Sequence, residues 1–208
     1  MDLKFDPPQL NVASRMSKDN VARFEAASPW RARWQVLNSF GPYVLLWFAM
    51  ARALACSYWL MMPIAILAAG FLVRIFIIFH DCGHGSFFKA RRANDVMGII
   101  AGLVLLTPYR HWRRQHALHH GTASDLDRRG FGDIWTLTVQ EYLQSARARR
   151  FAYRLVRNPV VLFVLAPLYV FVIQHRFAVS IASLSERRSV RRTNWVLLAA
   201  ALLMCTVV

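Results

Sequence analysis

Acidic side chains are scarce in this chain: 11 Asp and Glu stand against 26 Lys and Arg in 208 residues, a formal net charge of +15 at pH 7. A charge of that sign can serve nucleic acid, but no nucleic-acid-binding motif accompanies it. Cysteine is also rare. Cys56, Cys82 and Cys205 lie far apart in or beside apolar segments, which excludes a disulfide framework. Cys82 reads instead as a small packing residue. Residues 1–39 hold no apolar run that could act as a signal peptide. Histidine is sparse too, with seven in all and none after His175. What is abundant is apolar: 56% of the chain, gathered into long blocks flanked by arginine, as in membrane proteins under the positive-inside rule.

Six of the seven histidines fall in two short stretches. His80 and His84 close a long apolar run within Phe79-His80-Asp81-Cys82-Gly83-His84, and four-residue spacing puts both on one helical face. His116, His119 and His120 are spaced i, i+3, i+4 and share a face in the same way. His111 sits five residues before His116, about 140° round a helix, which makes it a supporting or surface residue rather than a ligand. Five histidines on two faces exceed what a single zinc takes from protein, so a site for two metals fits better. Imidazole suits iron, zinc, copper and nickel alike, and spacing does not choose among them. A carboxylate ligand is not supported. Asp125, Asp127 and Asp133 are candidates either to hydrogen-bond ligand histidines or to pair with Arg128 and Arg129.

His-Asp-Cys-Gly-His at 80–84, followed by His-Ala-Leu-His-His at 116–120, resembles the first two histidine boxes of the integral-membrane fatty acid desaturases. The stretch Gly132-Asp133-Ile134-Trp135-Thr136-Leu137 and onward to Tyr142 is similar to the bacterial Δ12 (omega-6) branch. The resemblance runs from about Phe40 to the C-terminus. That family carries a third box of the form (H/Q)xxHH, which this chain does not show.

In chain order, residues 1–39 read as a polar cytoplasmic tail. A short surface helix is expected over Asp19 to Trp34, with Trp30 and Trp34 at the membrane interface. Residues 40–208 read as the desaturase domain, truncated at its C-terminal end. Phe40 to Phe79 carries only Arg52 and Arg74 as charges. A span needs ~20 residues, so this length predicts a transmembrane hairpin turning near Ser57–Pro63. Arg74 lies about 9 Å below His80 and can snorkel, whereas Arg52 falls near mid-membrane. Asn94 to Thr107 is too short to span and reads as interfacial or re-entrant, ending at Pro108. A helix over 109–121 would then face the 80–84 helix. Gln140 to Asn158 reads as one basic interfacial helix, and Pro159 to His175 as two re-entrant or surface-lying helices broken at Pro167. Trp195 to Val208 begins a further apolar helix too short to cross. The expected fold is thus all-α integral membrane: a transmembrane hairpin, interfacial or re-entrant helices, and histidine-bearing helices on the cytoplasmic side.

The resemblance implies a di-iron centre held by His80, His84, His116, His119 and His120. It further implies O₂-dependent desaturation of an acyl lipid or acyl thioester, with electrons from a ferredoxin or cytochrome b5 type donor. The setting would be a membrane, the inner one in a bacterium. A hydroxylase or ketolase on the same histidine boxes, or a non-catalytic membrane fragment, is the alternative that the residues leave open.

Overall fold

The computed structural model describes residues 27–207 apart from positions 124, 131 and 133. Every regular element among the described residues is helical. Helix α1 (Pro29–Leu54) turns sharply into α2 (Tyr58–His84), followed by α3 (Arg91–Val104) and α4 (Tyr109–Thr122). Two short surface helices, α5 (Val139–Gln144) and α6 (Arg147–Val156), lead to α7 (Val161–Arg176) and the closing α8 (Leu184–Val207). The all-α expectation holds.

The hairpin is present, and its turn falls at residues 55–57, at the N-terminal edge of the expected Ser57–Pro63 stretch. Ser57 caps α2 by accepting the Trp59 N–H, and Pro63 sits inside the helix. The two helices lie along each other, and Arg74 crosses between them to the Asn38 amide oxygen at 2.7 Å and the Ser39 hydroxyl at 3.3 Å. Arg74 is therefore held by polar partners on α1 rather than left to snorkel. Among the described residues α2 alone is long and apolar enough to cross a membrane, and only 22% of its most apolar window is buried. Helix α1 falls short because Asn38, Ser39, Pro42 and Arg52 dilute its apolar run. It also starts at Pro29, not Phe40, so Trp30 and Trp34 belong to it rather than to a separate surface helix, and residues 19–26 of that expected helix lie outside the described residues. Because α1 ends at Leu54, Arg52, expected near mid-membrane, stands in its last turn, where a cation complements the helix dipole.

The core is small and sits where α2 ends, at the open end of the hairpin. Ile75, Ile78, Phe79 and Cys82 on one face of α2 pack against Ala101, Leu105 and Tyr109 from α3 and α4. Cys82 is buried with a free thiol, in the packing role its sequence position suggested. Helix α3 approaches closely because Gly98 and Gly102 present no side chain to the Tyr109 ring and the Thr107 carbonyl. The corner after α3 is tight: Leu106 takes a left-handed φ of 54°. It is held by the Arg176 guanidinium, which donates to the Leu106 carbonyl, and by a Thr107–His175 hydrogen bond of 3.0 Å. The C-terminal end of α7 thus braces the start of α4.

Two expectations in the second half need correction. Residues 140–158 form two helices, not one, because the backbone is extended at Ser145 and the Ser145 hydroxyl takes the Glu141 carbonyl at 2.6 Å. Pro167 does not break α7: turns of π-helix on either side absorb its missing N–H, and the chain instead bends by 62° between α6 and α7. The apolar residues 195–207 form the second half of α8.

A Gly98→Ala substitution forces a methyl group into the Tyr109 ring, an overpacking that costs about 1–3 kcal/mol. Thermal unfolding in detergent should show a clearly lowered midpoint, and an unchanged midpoint would contradict this packing. Glu141 gives a pH-dependent case. Its carboxylate pairs with both Arg129 nitrogens at 2.9 and 3.0 Å and also accepts the Thr138 N–H at 2.7 Å in a capping box. The Arg129 bonds first and the Thr138 bond second hold its pKa down to about 2. A depressed acid stabilises above its unfolded pKa and loses that contribution as pH falls. Protease resistance of the 129–144 segment should therefore decline below about pH 4.5, and Glu141→Gln should remove that pH dependence.

Candidate metal centre

The last turn of α2 and the last two turns of α4 carry the histidines, and the aromatic core sets their crossing. Tyr109 donates its hydroxyl to the Cys82 carbonyl at 2.7 Å, pinning the start of α4 to the end of α2. Burial pushes this phenol up to about 12, so it stays a donor at any ordinary pH. One turn on, Trp112 lies against Gly83, where a Cβ would stand 2.8 Å from the indole ring. The same indole packs on Phe79 with centroids 4.4 Å apart and stacks on His116 at 4.4 Å and 15°.

On this platform four ring nitrogens converge. His84 Nε2 is 3.3 Å from His80 Nε2 and 3.1 Å from His116 Nε2, and His120 Nε2 is 3.1 Å from His116 Nε2. The four donor atoms lie within 4.8 Å of one another. Imidazoles bound to one ion at about 2.1 Å place their nitrogens roughly 3.0–3.5 Å apart for angles of 90–110°. The donor set therefore fits a metal. Asp81 accepts from His80 Nδ1 at 3.1 Å, which fixes the proton there and leaves the Nε2 lone pair facing the cluster. Burial, and then the neighbouring His80, His120, His84 and His119, push the His116 pKa down to about 4. His116 is neutral at physiological pH, as a ligand must be.

His119 lies beside the group rather than in it, its ring centroid 6.0 Å from that of His116 and 5.7 Å from that of His120. The side chain packs near Gly132, where a Cβ would be 3.4 Å from the His119 Cβ. His111 is 4% exposed and faces Glu186 of α8 at 3.4 Å, away from the cluster. Asp125 pairs with Arg128 at 2.6 Å and makes no bond to a histidine; Asp133 lies outside the described residues.

Three contributors were missed from sequence. Asp81 adjoins a histidine and could have been weighed as its partner. Trp112 is four residues from His116 and therefore on its face. Asn94 had no local signal: it is 1% exposed and clamps the turn that follows His84. Its amide oxygen accepts the Phe88 N–H at 2.9 Å, while its nitrogen donates to the Phe88 carbonyl at 2.7 Å and to those of Gly85 and Ala90 at 3.3 Å. Gly85 ends α2 with φ 74°, a left-handed cap that favours glycine.

Comparison with known proteins supports the same reading. Residues 57–208 match the family model for fatty acid desaturase. The chain belongs to the fatty acid desaturase family. It is 46% identical over 187 residues to a fatty acid desaturase of Bacillus subtilis, covering 90% of this chain and 53% of that relative. It is 35% identical over 102 residues to an sn-1 oleoyl-lipid 12-desaturase of Synechocystis, covering 49% of the chain and 28% of the relative. Against an sn-2 acyl-lipid omega-3 desaturase (ferredoxin) of Arabidopsis thaliana it is 36% identical over 107 residues, 49% of the chain and 24% of the relative. The chain thus spans about half the length of the Bacillus relative, and less of the others. No solved structure matches it.

Replacing Asp81 by Asn should weaken divalent-cation binding by about 10–100-fold, because His80 loses the partner that fixes its tautomer. Titration of the purified chain with a transition-metal ion checks this. Equal affinities would mean that Asp81 does not orient His80.

Proposed function

We propose that this chain carries part of the metal centre of a membrane acyl desaturase, an oxidoreductase that introduces a double bond into an acyl chain. The observation that carries the proposal is the convergence of four Nε2 atoms from two helices at the end of the one long apolar helix. Iron held there, as a di-iron site, would supply the oxidising power, drawn from O₂ and two electrons, that removes two hydrogens from an unactivated methylene pair. His80, His84, His116 and His120 are the proposed ligands, and His119 joins them in this reading through its place on the same face of α4.

The chain's own residues do the positioning. Asp81 holds the His80 proton at Nδ1. Trp112 fixes the plane of the His116 ring and closes the core side of the cluster. Asn94 and Gly85 keep the turn after His84 in place. The opposite side is open, with His84 and His120 exposed toward the polar segment, where an electron donor of ferredoxin or cytochrome b5 type can approach. The arginines there suit an acidic partner.

The apolar exterior argues for a bilayer. Trp59, Ile66, Leu67 and Val73 of α2 are 85%, 73%, 56% and 60% exposed, far more apolar surface than a water-facing helix carries. In this reading α2 spans the membrane, the inner membrane of a bacterium, and delivers the histidines to its cytoplasmic face. An acyl lipid or acyl thioester would present its chain from the hydrocarbon side.

Iron analysis of the detergent-purified chain tests the centre. Wild-type protein should retain iron, and His116→Ala should lose it by tenfold or more, since His116 touches both His84 and His120. Iron retained at wild-type level in His116→Ala would overturn the ligand assignment. Fatty acid profiling of membranes carrying the protein tests the reaction: new double bonds that vanish with His84→Ala identify desaturation, whereas hydroxylated or oxo products would assign the alternative chemistry.

A further inference from the structure

Away from the histidines, α8 and the start of α4 enclose a second feature. A cavity of about 260 Å³ is lined by Arg110 of α4, by Ser185, Arg188, Ser189, Arg192 and Thr193 of α8, and by Ile99 and the Tyr109 ring. The α8 residues recur at i, i+3, i+4, i+7 and i+8, one continuous stripe of the helix. Three guanidinium groups thus share one concavity with three hydroxyl groups, and no carboxylate lines it. The acids that could have neutralised them are engaged elsewhere. Glu186 faces His111 and Arg114 on another side of α8, and Asp95 pairs with Arg113 at 2.9 Å. Among the described residues the side chains of Arg110, Arg188 and Arg192 make no hydrogen bond or ion pair. A bound anion would meet there a set of donors suited to phosphate oxygens.

The surroundings choose the kind of anion. Helix α8 changes character at Trp195: the four arginines 187, 188, 191 and 192 precede it, and no charged residue follows it to Val207. Trp195 is 70% exposed and only three residues past Arg192, the arrangement of an aromatic side chain at the level of lipid headgroups. Beyond it Leu202 and Leu203 are 60% and 65% exposed, and Val96, Ile99 and Ile100 of α3 add apolar surface near the cavity wall. The volume is below the roughly 300–1,000 Å³ of pockets that enclose a whole drug-sized ligand, which suits a headgroup whose tails lie outside.

We infer that the Arg110–Arg188–Arg192 pocket binds the phosphate of an anionic phospholipid, with its acyl chains against the apolar half of α8. The inference rests on the reading of α2 as membrane-embedded but not on the metal chemistry. Tyr109 and Arg110 at the start of α4, the helix that carries His116, form part of the pocket wall, so an occupied pocket would fix α4 relative to the bilayer surface.

Native mass spectrometry of the detergent-purified 208-residue chain tests this, with dioleoylphosphatidylglycerol, dioleoylglycerol and inorganic phosphate as probes. Phosphatidylglycerol should bind and dioleoylglycerol should not. Arg188→Gln and Arg192→Gln should each weaken lipid binding about tenfold, in line with one charge-assisted hydrogen bond. Arg191→Gln removes the same charge from the same helix outside the pocket and should bind like wild type. Equal losses in Arg191→Gln and Arg188→Gln would overturn the pocket in favour of a diffuse basic surface. Equal retention of dioleoylglycerol would overturn the role of phosphate. Inorganic phosphate binding as tightly as the lipid, and lost in the same variants, would overturn the lipid in favour of a soluble anion. Iron content is measured on the same samples: it should stay at wild-type level in the arginine variants, so a failed pocket and a failed metal centre are told apart.

Discussion

The crossing of α4 over the end of α2 is the constraint on which the rest depends. Four imidazoles can meet only if two helices approach at a fixed angle and register, and here two contacts join them directly, the Tyr109 hydroxyl on the Cys82 carbonyl and Trp112 on Gly83, while the Tyr109 ring over Gly98 seats α3 against α4. The two glycine contacts pair an absent side chain on one partner with a large rigid ring on the other. Flexible aliphatic packing would allow the helices to slide, whereas a ring filling a glycine notch has one seat. The nitrogen separations of 3.1–3.3 Å are the outcome of that seating.

Helical spacing made much of the centre legible. The i, i+4 pair at 80–84 and the i, i+4 pair at 116–120 each had to share a face, and the structure brings these four together. Spacing could not rank His119 against His116 and His120, because three residues and four residues both return to the same side of a helix. What separates them is the tertiary direction of approach: α2 meets α4 on the side of His116 and His120. His111 was legible by the same arithmetic as off the face, but its burial against Glu186 depends on α8, more than seventy residues later. Asn94 was not legible at all, since its four bonds are to backbone groups of an irregular turn and leave no periodic trace.

The fold was legible where length and apolarity decided it and misread where capping or a polar partner did. Counting from Phe40 gave the right hairpin but put Arg52 at mid-span. The helix in fact starts at Pro29, with a proline in its first turn, which suits a helix start. Arg74 looked like a snorkelling residue because Asn38 and Ser39 were assigned to a tail rather than to the helix facing it. Pro167 looked like a break, yet a helix can widen into π-turns around a missing N–H, and the bend went to the residues before α7 instead.

The placement of the cluster at the edge of the core also bears on its chemistry. On one side Phe79, Trp112 and Tyr109 exclude water; on the other, His84 and His120 are open. The closed side makes a charged imidazolium costly, and the crowding of further imidazoles adds to that cost, so His116 keeps its lone pair down to about pH 4. A proton and a metal ion compete for that lone pair. The aromatic wall that fixes the helix crossing therefore also tilts the competition toward metal, and the same few residues account for both the geometry of the donor set and its readiness to bind.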